Sequence, residues 1–150
     1  MSTKIHTLTD GKTRPVTMIL TPGQAGDNPQ LVPLLELHRR QRGPGDRAGF
    51  RLLADRAYSH PSTRNDLRRR RIPHTIPERH DQQDRRRAKG AKGGHPPGFD
   101  AAAYAQRNTV ERGFLRLKHW RGIATRYDKH ALTFLGGITL ATILIHLRTN

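Results

Sequence analysis

A chain of 150 residues is long enough for one domain. Its 28 Lys and Arg against 12 Asp and Glu give a formal charge of +16, which favours a polyanionic partner held through phosphate contacts. No cysteine is present, which excludes disulfides, thiolate catalysis and Cys-based zinc sites, and 33% apolar residues allow only a modest core.

Residues 4–9 and 14–21 alternate apolar and polar positions on either side of Asp10-Gly11, which predicts an antiparallel hairpin with that pair in the turn. Val16, Met18 and Leu20 share one face of its second strand. Thr21-Pro22-Gly23 ends the strand. Asn28 is placed to cap a helix with Pro29 at its first position. That helix reaches about residue 40, with Leu31, Leu34, Leu35 and His38 on or near one face, and Gly43-Pro44-Gly45 stops it.

A short apolar strand over residues 50–55 is closed by Asp55. Ser59 or His60 then precedes Pro61 at the start of a helix that ends in the four arginines of residues 68–71. Residues 72–76 predict a strand that Pro73 and Pro77 confine to a sheet edge. Residues 78–99 hold Arg85, Arg86, Arg87, Lys89 and Lys92 with almost no large apolar side chain. They predict a mobile basic loop, either ordering on a DNA backbone or serving as a plain linker.

Residues 104–118 predict a helix, with Asp100 placed to cap it and Gly122 to end it. A last helix over residues 129–147, with Asp128 as its cap, is the most apolar run of the chain. Two glycines, several Thr positions and His146 predict a core helix buried against the sheet rather than a membrane span.

Candidate chemistry concentrates in two places. At about 100° per residue, Tyr104, Arg107, Glu111 and Lys118 fall within roughly 60° of one another, beside an apolar stripe of Val110, Phe114 and Leu117. One carboxylate among cations and a phenol suits a site for phosphate and metal. An ordinary surface helix with an Arg107–Glu111 ion pair would show the same pattern. Asp55 stands at the carboxyl end of a strand, where sites form in open α/β sheets. A turn cap or an ion pair with a nearby arginine would also account for it. The nine histidines show no paired ligand spacing, and three Tyr, four Phe and one Trp supply a poor stacking platform for single strands.

The spacing of Tyr104, Arg107, Glu111 and Lys118 resembles the signature of bacterial insertion-sequence transposases of the DDE type. Asp55-Arg56-Ala57-Tyr58 resembles that family's second carboxylate motif, with the apolar stretch from Ile72 to Ile76 between the two motifs. The likeness runs from about residue 4 to residue 148. It implies a ribonuclease H-like α/β fold, a mixed sheet flanked by helices, in a single catalytic domain over residues 1–150. It implies metal-dependent DNA strand cleavage and transfer. Asp55 and Glu111 would be catalytic ligands of Mg²⁺ or Mn²⁺. Arg107 and Lys118 would hold phosphates of double-stranded DNA at transposon ends and target sites, and Tyr104 would position a phosphate or base or pack beside the cleft. Arg85, Arg86 and Arg87 would add contacts to the DNA backbone.

The family's first Asp lies on a strand upstream of the stretch that residues 2–6 resemble, and Asp10 occupies a predicted turn instead. The resemblance therefore implies a truncated fold lacking its first strand, an incomplete two-metal site, and a chain inactive alone. Its expected setting is the nucleoid in the cytoplasm, with an upstream-encoded transposase half as a candidate partner. A decayed remnant and a start codon inside a longer frame remain open as origins. A non-enzymatic basic nucleic-acid-binding protein is the alternative function, and a membrane-associated peptide built on the last helix is a third.

Overall fold

The computed structural model describes residues 2–43, 49–125 and 130–148. Strands β1 (Thr3–Thr9) and β2 (Pro15–Pro22) form the expected hairpin, with Ile5 opposite Leu20 and Thr7 opposite Met18. Asp10 builds its turn. One carboxylate oxygen accepts from the Lys12 and Arg14 amides, each at 2.9 Å, and the other accepts from Arg14 Nε at 2.7 Å. Burial opposes the charge, but the bonds from Arg14 and Lys12 outweigh it and hold the Asp10 carboxyl below its ordinary value.

Asp10 is therefore a structural residue, and Asp10→Ala is expected to cost about 1–3 kcal/mol. Because the folded-state pKa is lowered, this stabilisation is present above the ordinary carboxylate value of 3.8 and is lost as pH falls through the lowered one. Urea unfolding should show a gap between wild type and variant at pH 6 that closes in acid. An unchanged gap would disprove the electrostatic account.

Helix α1 (Leu31–Arg42) starts from a 3-10 turn over Asn28–Gln30 and stops at Gly43, whose φ of 79° suits glycine. Asn28 does not cap it. Its side chain accepts from Thr63 Oγ1 at 2.8 Å and ties this turn to helix α2 (Pro61–Arg69). His60 caps α2 by accepting from the Ser62 amide. Strand β3 (Leu52–Leu53) pairs in parallel with β4 (His74–Thr75). Leu31, Leu35, Leu52, Ala54, Leu67 and Ile76 form one core around this pair. Arg64 is buried beside it and donates to the Ile76 carbonyl at 2.8 Å.

The remaining helices are α3 (His80–Ala88), α4 (Ala101–Ala105), α5 (Asn108–Lys118), α6 (Arg121–Ala124) and α7 (Ala131–Leu147). Leu117, Phe134, Ile138, Ala141 and Ile145 form a second core, packed against Ile5, Met18 and Leu20 of the hairpin. Helix α5 passes close over the hairpin. A Cβ at Gly113 would lie 2.9 Å from Thr9 Cγ2 and 3.2 Å from the Thr13 carbonyl oxygen. Gly113→Val is expected to destabilise by about 1–3 kcal/mol through overpacking, read as a lowered thermal midpoint. A raised midpoint would show that helix propensity outweighs the clash.

The structure departs from expectation in further places. Gly122, predicted to end the helix of Glu111, lies within α6, and α5 already stops at Lys118. Among the described residues the strands form two separate two-stranded sheets, β1–β2 and β3–β4, rather than one mixed sheet. Residues 80–88 are helical instead of loop, although none is buried. Ion pairs replace a core there: Arg85 with Asp81 at 3.0 Å, Arg87 with Asp84 at 3.6 Å, and Arg86 with Glu78. The helix predicted over residues 104–118 is interrupted at Gln106–Arg107. Finally, α7 buries only the face of Phe134, Ile138, Ala141 and Ile145, and Leu132 on its other side is 84% exposed. Its predicted cap, Asp128, lies outside the described residues. Among the described residues no helix is long and apolar enough to cross a membrane.

Candidate active site

Asp55 lies one residue, the buried Ala54, beyond the end of β3, so the strand delivers it to the edge of the core. Its Oδ1 accepts from the Ala57 amide at 2.9 Å and caps a 3-10 turn over Arg56–Tyr58. Its other oxygen stays free of the turn, and the side chain is 43% exposed. Arg107 Nη2 lies 3.5 Å from that Oδ2. The same guanidinium donates from Nη1 to Glu111 Oε1 at 2.9 Å. One planar fork thus spans two carboxylates that stand far apart in the sequence.

The helix interruption makes this possible. Asp100 caps α4 by accepting from the Ala103 amide at 2.9 Å. The amides of Gln106 and Arg107 then bond to the carbonyls of Ala103 and Tyr104, three residues back. This tighter winding places Arg107 at the start of α5. Glu111 sits in the first turn of α5, where the helix macrodipole favours a carboxylate.

Tyr104 packs its ring against Phe99, with centroids 5.2 Å apart. Both rings, with Asp55, Pro77 and Arg107, line a shallow cavity of about 420 Å³. Lys118, exposed on the last turn of α5, does not line it. Arg85, Arg86 and Arg87 lie on α3, whose first residue, His80, stands 3.4 Å from Arg56 Nη1 beside the Asp55 turn. The structure therefore brings together Asp55, Tyr104, Arg107 and Glu111, whereas Lys118 and the α3 arginines do not line the cavity. Phe99 was not singled out from the sequence, and Arg56 and Tyr58 were named only as members of the Asp55 motif, without a role of their own. Burial, then the charges of Asp27 and Asp55, push the Tyr58 phenol up to about 12, so it stays neutral.

The donor types at this site suit a hard divalent cation such as Mg²⁺ or Mn²⁺. The number of donors falls short: among the described residues no group of three or more His, Cys, Asp or Glu could hold a metal ion. Arg107 meanwhile offsets one of the two negative charges of the pair.

The model of the family described as "Transposase DDE domain" matches residues 1–145. A Brucella ovis protein described as a transposase for insertion sequence element IS6501 is 29% identical over 152 residues. The alignment covers 99% of this chain and 100% of that protein. No solved structure matches.

Proposed function

From the premise that the chain belongs to the transposase DDE domain family, whose work is DNA transposition, we propose that it supplies the Asp55 and Glu111 carboxylates of a metal-dependent strand-cleavage and transfer site. The observation that carries this is the single guanidinium of Arg107, which lies against Asp55 and Glu111 together at the carboxyl end of β3. Asp55 and Glu111 are the residues that would hold Mg²⁺ or Mn²⁺. The ion would polarise phosphoryl oxygens and stabilise charge on the oxygens that attack and leave. Arg107 would hold a DNA phosphate beside those carboxylates, and Tyr104 and Phe99 shape the cavity next to it.

The family fold, ribonuclease H-like, accommodates β3 and β4 as its parallel strands and β1–β2 as its hairpin. Among the described residues the site holds two carboxylates, one short of the family's three, and on this reading the chain by itself does not cleave DNA and takes the third from a partner. Its other partner is double-stranded DNA, and its place of work is the nucleoid. Lys118 and the α3 arginines extend the basic surface to the flanking duplex. Purified chain incubated with duplex DNA and Mn²⁺ should leave the DNA intact. Metal-dependent nicking that disappears in Asp55→Asn would show that two carboxylates suffice and overturn the partner requirement. A basic nucleic-acid-binding protein without catalysis explains the charge, but it gives no reason for Asp55 and Glu111 to share one arginine.

A further inference from the structure

Helix α7 buries Phe134, Ile138, Ala141 and Ile145 and leaves a second apolar stripe outside. Leu132, Leu140, Ile143 and Leu147 are all exposed. With Gly136 they recur at steps of four, four, three and four residues. At about 100° per residue these five fall within roughly 80° of one another, nearly opposite the buried face. No Asp, Glu, Lys or Arg stands between Ala131 and Leu147, in a chain that carries +16. Single exposed apolar residues are ordinary, but a continuous uncharged stripe marks a surface that meets another, and it offers nothing to a phosphate.

Glycine weakens a helix interior, so Gly136 calls for a reason. Among the described residues nothing outside the helix backbone lies within 4 Å of where its Cβ would be. The fold itself therefore does not require it to be small. A notch between Leu132 and Leu140 serves a surface arriving from outside, whose side chain can then reach the helix backbone.

We infer that the outer face of α7 is the interface between two copies of this chain, crossing antiparallel about a two-fold axis. Such a contact uses the same surface on both copies. Antiparallel pairing sets Leu132 against Leu147 of the second copy, seats Ile143 in the Gly136 notch, and leaves Leu140 facing its own counterpart at the axis. It also holds the two Arg148 side chains at opposite ends, where a parallel pair would bring them together. On a chain of +16, the uncharged stripe is where a second copy meets least repulsion. A lipid surface would gain nothing from the notch, and the face opposite the stripe is packed in a core rather than polar. The stripe is about 22 Å long and presents on the order of 300 Å² per copy. That is small for a stable pair, so association is expected in the micromolar range. None of these residues lines the Asp55 cavity, so the pairing surface and the candidate site are separate.

Sedimentation equilibrium of the full chain at about 0.5 M salt, where surface charges are screened, should show a monomer–dimer equilibrium with a Kd on the order of 10 μM. Leu140→Glu should weaken it at least about tenfold, while the thermal midpoint of dilute chain stays within about 2 °C. Gly136→Leu should raise that midpoint through helix propensity and still weaken the dimer, because it fills the notch. The chain has no cysteine, so oxidised Leu140→Cys should cross-link to its own copy. Leu132→Cys should cross-link only when mixed with Leu147→Cys. Four results would each overturn the interface: a chain still monomeric at about 100 μM, a dimer unmoved by Leu140→Glu, tighter pairing by Gly136→Leu, or Leu132→Cys copies that join to each other. Flotation with anionic vesicles by a chain that forms no dimer, abolished in Leu140→Glu, would mark the stripe as a lipid-binding face instead.

Discussion

In a complete transposase that contains this domain, Glu111→Gln lowers strand transfer by on the order of 10³-fold or more, while DNA binding stays within about twofold. Gln keeps the size of Glu, and its side-chain oxygen still accepts from Arg107. What it removes is one negative charge on a side chain that is 58% exposed. If the Arg107–Glu111 contact were only a surface ion pair on a helix, that loss would cost a few tenths of a kcal/mol in stability and nothing in chemistry. For a metal ligand, the same loss removes the charge that holds the cation over the phosphoryl group. Binding of the duplex depends on phosphate contacts, so a lost carboxylate leaves it unchanged or slightly tighter. Asp55→Asn should behave alike, and the double variant should be no worse than either single one, because the two groups act as a unit. A Glu111→Gln enzyme with near-normal strand transfer would remove Glu111 from the site.

Binding of duplex DNA by the chain is expected to fall by about 10³-fold or more between 50 and 200 mM salt, the response of a protein with six to ten phosphate contacts. The structure divides the three adjacent arginines of α3 into two kinds. Arg85 and Arg87 are 76% and 73% exposed, and their pairs with Asp81 and Asp84 are surface contacts that a phosphate can replace. Arg86 is 19% exposed and held by Glu78, itself largely covered. Arg85→Ala and Arg87→Ala should each lower the salt slope by about 0.9. Arg86→Ala should leave the slope alone and instead loosen α3, because it strands the Glu78 carboxylate. Filter binding at four salt concentrations separates these outcomes. Equal slope changes for all three would refute the sorting, and no change for any would take α3 out of the DNA interface.

What the sequence determined by itself is local. The hairpin and its Asp10 turn, the caps at His60 and Asp100, and the stop at Gly43 all follow from bonds made within a few residues. The family was legible too, because the spacing around Asp55 and Glu111 is a linear pattern, and residues 1–145 match the family model. Helix α3 was missed because its support comes from ion pairs between neighbouring turns, whereas low apolar content argued only that no core could form there.

Tertiary structure alone decided the rest. Arg107 pairs with Glu111 by helical periodicity, but its contact with Asp55 requires β3 and the broken α4–α5 turn to meet. Which face of α7 is buried was equally unreadable, since the helix is apolar nearly all round and carries no stripe to mark its inner side. The division into two sheets is the least local feature of all. A strand's alternation shows which side chains face a core, but its neighbour across the hydrogen-bonded edge is chosen by segments far away in the chain, and both edges look the same in sequence.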